Sequence, residues 1–477
     1  MTEEAPDPRR WLILAVVGAA FFMTILDVAI VNVAIPSIEN DLHITESTVQ
    51  WVVTAYAITF GGFLLLGGRV ADLLGRRLIF MIGLTLFTVA SLTCGLSGSA
   101  MMLIISRTVQ GLGAAIISPA ALSIVTTTFR EGAERNKALG IWGALGGSGA
   151  AAGVLFGGIL TKYLGWEWIF FVNIPVGAAV LLLTRPIIPE SHAEMGHRRF
   201  DASGAITITS SLALLVYAIA RAPFVGWGSF RTIGLLVVSA ALLAAFIFVE
   251  ERTPHPLVPF GIFRNRSVTA ANIVGVLMGA VIFSNFFILT LYVQQVLGWS
   301  ALKTGLTFLA TAGTVPIWAG VSQNLVTRFG PRPVMTLGLT IAGLTVLGYT
   351  RLPLDGHYWP DLMPFYLTFA VGLAFTFIPV SIAAFVGVAP QQAGLASGLL
   401  NTAQQIGGAI GVALTATIFT SQAKAGHFTK EAFVSGYHWA FAALVGIAFA
   451  GAVASFVLLR GTQAAMTRDA EPVGAAL

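Results

Sequence analysis

Fourteen times along its 477 residues the sequence runs apolar for the length of a membrane crossing. The runs lie at 11–35, 51–68, 78–97, 101–128, 138–160, 168–186, 203–220, 232–249, 267–296, 304–326, 334–350, 362–386, 394–421 and 437–459. A transmembrane helix needs about 20 such residues. Composition agrees: 56% of residues are hydrophobic and 10% charged, whereas a soluble domain carries about 25% charged residues. A water-soluble globule is therefore excluded, and lipid must be the solvent for most of the chain. The expected fold is an all-α integral membrane protein of fourteen spans. The first run is too long for a signal-peptide core and has no A-x-A site, so it reads as a retained anchor.

The single Cys, Cys94, sits in an apolar run and excludes a disulfide framework or a Cys-based metal site. The net charge of +5 does not form a stripe suited to nucleic acid. Its carriers lie in short loops, as the positive-inside rule requires. Eighteen of the 26 Lys and Arg fall on one side, among them Arg9, Arg69, Arg76, Arg77, Arg198, Arg199, Arg460 and Arg468, against seven on the other. That asymmetry assigns the first side, and both termini, to the cytoplasm.

Two offsets suggest an internal repeat. Leu74-Gly75-Arg76-Arg77 after span two returns 255 residues later as Phe329-Gly330-Pro331-Arg332, and Gly140, Gly149 and Gly153 of span five return 258 residues later as Gly398, Gly407 and Gly411. The expected halves are spans 1–6 and 9–14, with spans seven and eight as an insertion. The corresponding divisions are 1–186, a linker with the extra helix pair at 187–266, and 267–477.

Several stretches resemble the major facilitator superfamily, in particular its fourteen-span drug:proton antiporters. The loop Gly68-Arg69-Val70-Ala71-Asp72-Leu73-Leu74-Gly75-Arg76-Arg77 resembles the superfamily's signature loop. Leu26-Asp27-Val28-Ala29-Ile30-Val31-Asn32-Val33-Ala34-Ile35-Pro36 resembles the antiporters' first-helix motif, and Arg107-Thr108-Val109-Gln110-Gly111-Leu112-Gly113 their intramembrane arginine motif. Trp166-Glu167-Trp168-Ile169-Phe170-Phe171-Val172-Asn173-Ile174-Pro175 and Leu291-Tyr292-Val293-Gln294-Gln295-Val296-Leu297-Gly298 also match. The resemblance implies two six-helix bundles plus two extra helices in a bacterial plasma membrane, and proton-driven export of small molecules by a monomer without cofactors. One departure stands out. The antiporter motif of span five has Gly149, Gly153, Gly157 and Gly158 in place, but Val154 where Pro is usual. That keeps close Gly packing and leaves the usual Pro kink in doubt.

Asp27 and Arg107 are the only full charges well inside spans, and each would cost about 2.5–3.5 kcal/mol at a helix centre. Counting helix rise from the outer ends places Asp27 about 12 Å and Arg107 about 9 Å deep. Gln110 follows Arg107 on the same face. A cavity between spans one and four would present all three, either for proton coupling or as a static ion pair. Asp72 can cap a helix or pair with Arg76 and Arg77 to close the cytoplasmic side, with Gly68 and Gly75 as the loop's glycines. Thr327 replaces Asp72 in the second copy, so that closure should be asymmetric. Tyr56, Phe283, Phe286, Phe287, Tyr292, Gln294, Gln323, Asn401, Gln404 and Gln405 are candidate cavity residues, suited to aromatic, neutral or singly cationic compounds. An anion could instead engage Arg107.

Other classes find no support. No Lys sits in a G-x-x-x-x-G-K-[ST] loop and H-E-x-x-H is absent. The G-x-S-G strings at Gly95-Leu96-Ser97-Gly98 and Gly146-Gly147-Ser148-Gly149 have no mid-membrane His to act as base. The remaining rival is a facilitator or symporter for a nutrient or metabolite.

Overall fold

The computed structural model describes residues 7–130, 132–191, 201–254, 256–427 and 429–459, and it is helical with no strand among them. Arg198, Arg199, Arg460 and Arg468, counted above for orientation, lie outside the described residues. Each apolar run becomes one span, with 168–186 broken at Val172 and 304–326 at Phe308, where a short helix Ala301–Thr307 precedes the main one. The first bundle holds α1 (Arg10–Asp41), α2 (Glu46–Leu74), α3 (Arg76–Gly95), α4 (Ala100–Thr128), α5 (Ala133–Tyr163) and α6 (Trp168–Ile187), the last interrupted by a turn at Val172. Then come α7 (Ala202–Val225) and α8 (Phe230–Glu250). The second bundle holds α9 (Arg266–Leu291), α10 (Leu309–Phe329), α11 (Pro331–Tyr349), α12 (Met363–Ala383), α13 (Ala393–Ala425) and α14 (Lys430–Leu458). Among the described residues, thirteen helices are long and apolar enough to cross a membrane. The fourteenth place belongs to α11, 19 residues long, whose first turn carries Pro331, Arg332 and Pro333.

Helix starts follow capping chemistry, in which a side-chain oxygen accepts one of the first turn's free N–H groups. Ser99, Asp201, Ser229, Asn265, Ser300 and Thr429 all cap in this way. Several helices overrun the apolar pattern. Thus α1 continues through Pro36 to Asp41. Pro119 in α4 and Pro379 in α12 lie inside helices at matching places in the two bundles, where a missing N–H favours a bend.

The repeat is visible in the packing. Within the first bundle α1 lies on α5, while α2 and α3 lie on α4; within the second, α9 lies on α13, while α10 and α11 lie on α12. Across the bundles α2 meets α13 and α5 meets α10, again a symmetric pair. The extra helices break that symmetry, because α7, paired with α8, packs on α2 and α13. Gly61 and Gly62 of α2 leave room for Val216 and Ala213 of α7, Trp51 stacks on Tyr217 at 5.7 Å, and the Trp227 indole donates to Thr417 Oγ1 of α13 at 2.8 Å. Ser211 of α7 and Ser239 of α8 donate to each other's carbonyls at 2.8 and 2.9 Å, polar ties of the kind that join helices in lipid.

Candidate functional site

An ionised Asp inside a bundle persists only if its oxygens are fully partnered. Asp27, with no exposed surface, meets that demand with three donors from two helices. Arg107 Nη1 donates to Oδ2 at 2.7 Å, while Gln110 Nε2 and Asn173 Nδ2 donate to Oδ1 at 2.9 and 2.8 Å. Gln110 Nε2 also reaches Ser91 Oγ at 2.7 Å. Arg107 is tied to a further helix, since Nε donates to the Val52 carbonyl of α2 at 3.1 Å and the guanidinium lies 4.1 Å over the Tyr56 ring. The Tyr56 hydroxyl is buried without a partner.

The depths inferred from sequence thus bring Asp27, Arg107, Gln110 and Tyr56 together. The expected cavity between α1 and α4 does not open on them. Arg107 is 1% exposed and Gln110 fully buried, behind Leu26, Ile30, Val52, Leu103, Ile169 and Phe170. Internal donors replace water around the charge, which is why it can be sealed. The sequence reading missed Asn173 and Ser91. Asn173 stands in the quoted Trp166–Pro175 motif and starts the helix after the Val172 turn, so that turn was its signal. Ser91 had none.

At the Arg-rich end Asp72 bridges the bundles. Its Oδ1 accepts from Arg76 Nη2 and Nε at 2.9 and 3.2 Å and from Gly394 N at 3.1 Å, and its Oδ2 accepts from Leu395 N at 3.0 Å. Those two backbone donors belong to the first turn of α13. A carboxylate from one bundle therefore caps a helix of the other, satisfying its free N–H groups and its positive dipole end. Arg76 also donates to the Pro390 carbonyl at 2.6 Å. Gly68 lies against Gly394 so closely that a Cβ on it would sit 3.0 Å from the Gly394 carbonyl carbon. Arg77 departs from the expected pairing: it binds Glu190, N to Oε1 at 3.1 Å, and the Ile188 carbonyl at 3.2 Å instead of Asp72. Gly75, at φ +116°, starts α3 beside that same Glu190. Thr327, in the second copy, accepts from Asn136 of α5 at 3.3 Å. The two seams at this end thus differ: a carboxylate–arginine pair caps a helix at one, while at the other the Asn136–Thr327 bond stands beside Arg135, which donates to the Phe385 carbonyl at 3.0 Å.

The α5 glycines serve two faces. Gly149, Gly153 and Gly157 meet α1 around Asp27, with a Cβ on Gly153 placed 2.6 Å from the Leu26 carbonyl oxygen. Gly158 faces the other bundle at Leu302, and the Val154 carbonyl faces Gly305. Without Pro, α5 runs as one continuous helix through Val154.

The other candidate cavity residues scatter. Gln323 lies beside Gly140 on the α5–α10 seam, and Asn401 Oδ1 accepts from Ser118 of α4 at 3.3 Å; both join the bundles. Phe286 packs with Phe308 and Phe369 inside the second bundle, with Phe287 against the same core. Tyr292 is fully buried there and its hydroxyl donates to the Pro353 carbonyl. Phe283 is 39% exposed over Gly408, and Gln404 packs on Gly275 and Gly279 of α9. Gln294 and Gln405 are half-buried. The interface aromatics that the sequence hid are Phe21, stacked on Trp142 at 4.0 Å, and Phe377, which together with Phe21 borders Gly146.

Residues 17–412 match the family described as Major Facilitator Superfamily. The chain belongs to this superfamily. Like its members it is a membrane transporter and not an enzyme. It is 38% identical to the puromycin resistance protein of Streptomyces alboniger over 96% of this chain and 92% of that one. It is 33% identical to the tetracenomycin C resistance and export protein of Streptomyces glaucescens over 87% and 77%. Among solved structures, the human organic anion transporter MFSD10 superposes with a TM-score of 0.67 at 16% identity, over 94% of this chain and all of that one. The proton:xylose symporter XylE gives 0.62 at 14% identity, over 92% and 95%. These two likenesses establish the superfamily's fold.

Proposed function

We propose that this facilitator exports amphipathic, neutral or singly cationic small molecules across a bacterial plasma membrane in exchange for protons, acting as a monomer with both termini in the cytoplasm. The observation that carries the reading is the sealed Asp27–Arg107 pair. It is an intramembrane carboxylate held by three donors, and one of them, Arg107, is anchored to α2 through Val52 and Tyr56. A proton on Asp27 cancels the charge that holds Arg107. The same helix carries Gly68 and Asp72 at its other end, about 30 Å away from Val52 at 1.5 Å per residue. Protonation at one end of α2 is thereby coupled to the closed seam at the other, giving alternating access. Residues 1–186 and 267–477 move as the two bundles, with 187–266 riding on α2 and α13.

The curated relatives named for puromycin and tetracenomycin C resistance support drug efflux as the task. One pH unit supplies about 1.4 kcal/mol per proton and 100 mV about 2.3 kcal/mol per charge. Their sum sustains roughly a few-hundred-fold gradient of a neutral solute exchanged for one proton. With Asp27 the one intramembrane carboxylate at hand to balance positive charge, and partly offset by Arg107, a dication would enter with an unpaired charge at a cost of several kcal/mol. The test is a pH dye inside proteoliposomes. A monocationic amphipathic drug imposed on one side should drive protons the opposite way. Proton movement alongside the drug would favour the symporter, and none at all the facilitator.

A further inference from the structure

The insertion carries a buried carboxyl pair that the transport reading leaves unused. Asp201 caps α7, its Oδ1 accepting from Gly204 N at 2.9 Å and from Ser203 Oγ at 2.7 Å. Glu250 ends α8, and its two oxygens accept from Leu257 N and Val258 N, each at 3.1 Å. The two side chains, 8% and 3% exposed, converge on Gly204. Asp201 Oδ2 and Glu250 Oε1 both lie 2.5 Å from the point where a Cβ on Gly204 would stand, so only Gly at 204 leaves room for the meeting. Asp201 Oδ2 is buried and has no donor. The backbone N–H groups of Gly204, Leu257 and Val258 are spent on the other oxygens, and the Arg69 Nε, buried without a partner, does not reach Asp201 Oδ2.

We infer that Asp201 and Glu250 together bind one proton, shared between Asp201 Oδ2 and Glu250 Oε1, at a site separate from Asp27. Two ionised carboxylates cannot share such a site, so one keeps its proton. That proton completes the missing hydrogen bond of Asp201. Among the described residues, the charged groups around the pair are few. Arg69 of α2, 9% exposed, donates to the Pro256 carbonyl at 3.3 Å and interacts electrostatically with both Glu250 and Asp72. Glu251 and Arg252 follow on α8's end and are exposed, the latter lying over Phe248. Arg69 thus stands between the shared proton and the Asp72 seam, on the helix that links that seam to Asp27.

The experiment is infrared spectroscopy of the full-length protein in lipid at neutral pH, reading the carbonyl stretch of protonated carboxyl groups. A band worth one carboxyl should be present in the wild type, shift when Asp and Glu side chains carry carbon-13, persist in Asp27→Asn, and vanish in Glu250→Gln. Gln can donate its amide to Asp201 Oδ2 in place of the shared proton, at the loss of the bond from Leu257 N. Asp201→Asn, which retains the cap oxygen, should also remove the band. If no such band exists in Asp27→Asn, or if it survives both Glu250→Gln and Asp201→Asn, the pair holds no proton and the inference is overturned.

Discussion

Replacing Gly68 by Ala should open the Arg-rich end. Gly68 is helical, so the intrinsic gain of Ala over Gly in a helix applies to both conformations and cancels between them. What remains is the contact. The new methyl would overlap the Gly394 carbonyl oxygen and stand 3.0 Å from its carbon, against about 3.5–4.0 Å for an unstrained carbon pair, so α2 and α13 must part by at least about 1 Å. Absorbing that crowding costs about 1–3 kcal/mol. Relieving it by separation lengthens the Asp72 bonds to Gly394 N and Leu395 N, now 3.1 and 3.0 Å, and charge-assisted bonds are worth about 1.5–3 kcal/mol each. Either route weakens the closed seam by at least about 1–3 kcal/mol, a 5- to 150-fold population shift. Nitroxide labels on Leu74→Cys and Gln391→Cys, both exposed at this end, would report it by pulsed electron resonance, with buried Cys94 left unlabelled. Gly68→Ala should raise the long-distance population severalfold. A distance distribution identical to that of the Gly68 protein would refute the reasoning.

Three further outcomes follow from the same geometry. Asn173→Ala removes one donor from a buried carboxylate and should lower stability by about 1.5–3 kcal/mol, read as a drop in Tm in detergent. Gly153→Val drives a side chain into the Leu26 carbonyl and should cost at least about 1–3 kcal/mol in the same assay. Gly446→Ala, with nothing within 4 Å of its Cβ position, should instead gain about 0.5–1 kcal/mol.

The spans were legible because apolar length is the one property lipid enforces. Their ends were not, since α1 runs through Pro36 and Arg69 proves to lie within α2, where hydropathy alone marks a loop. Asp27, Arg107 and Gln110 were legible because a charge in lipid is too expensive to be incidental. Ser91 was not, because a small neutral residue in an apolar run carries no spacing signature. Phe21, Trp142 and Phe377 were hidden for a related reason: an aromatic facing the other bundle and one facing lipid look alike in sequence. The Asp72 cap needed the start of α13, 322 residues away from it in the chain, and no local pattern predicts that partner. The same holds for Asp201 and Glu250, whose meeting depends on Gly204 and on how α7 and α8 close their hairpin.

The central claim is that Asp27 carries the proton that drives uphill transport. Its direct test is drug accumulation in proteoliposomes acidified inside, comparing the wild type with Asp27→Asn, alongside drug exchange at equal pH. The wild type should concentrate a monocationic amphipathic drug in the vesicles. Asp27→Asn should still exchange drug down its gradient yet fail to concentrate it. Normal pH-driven accumulation by Asp27→Asn would contradict the account.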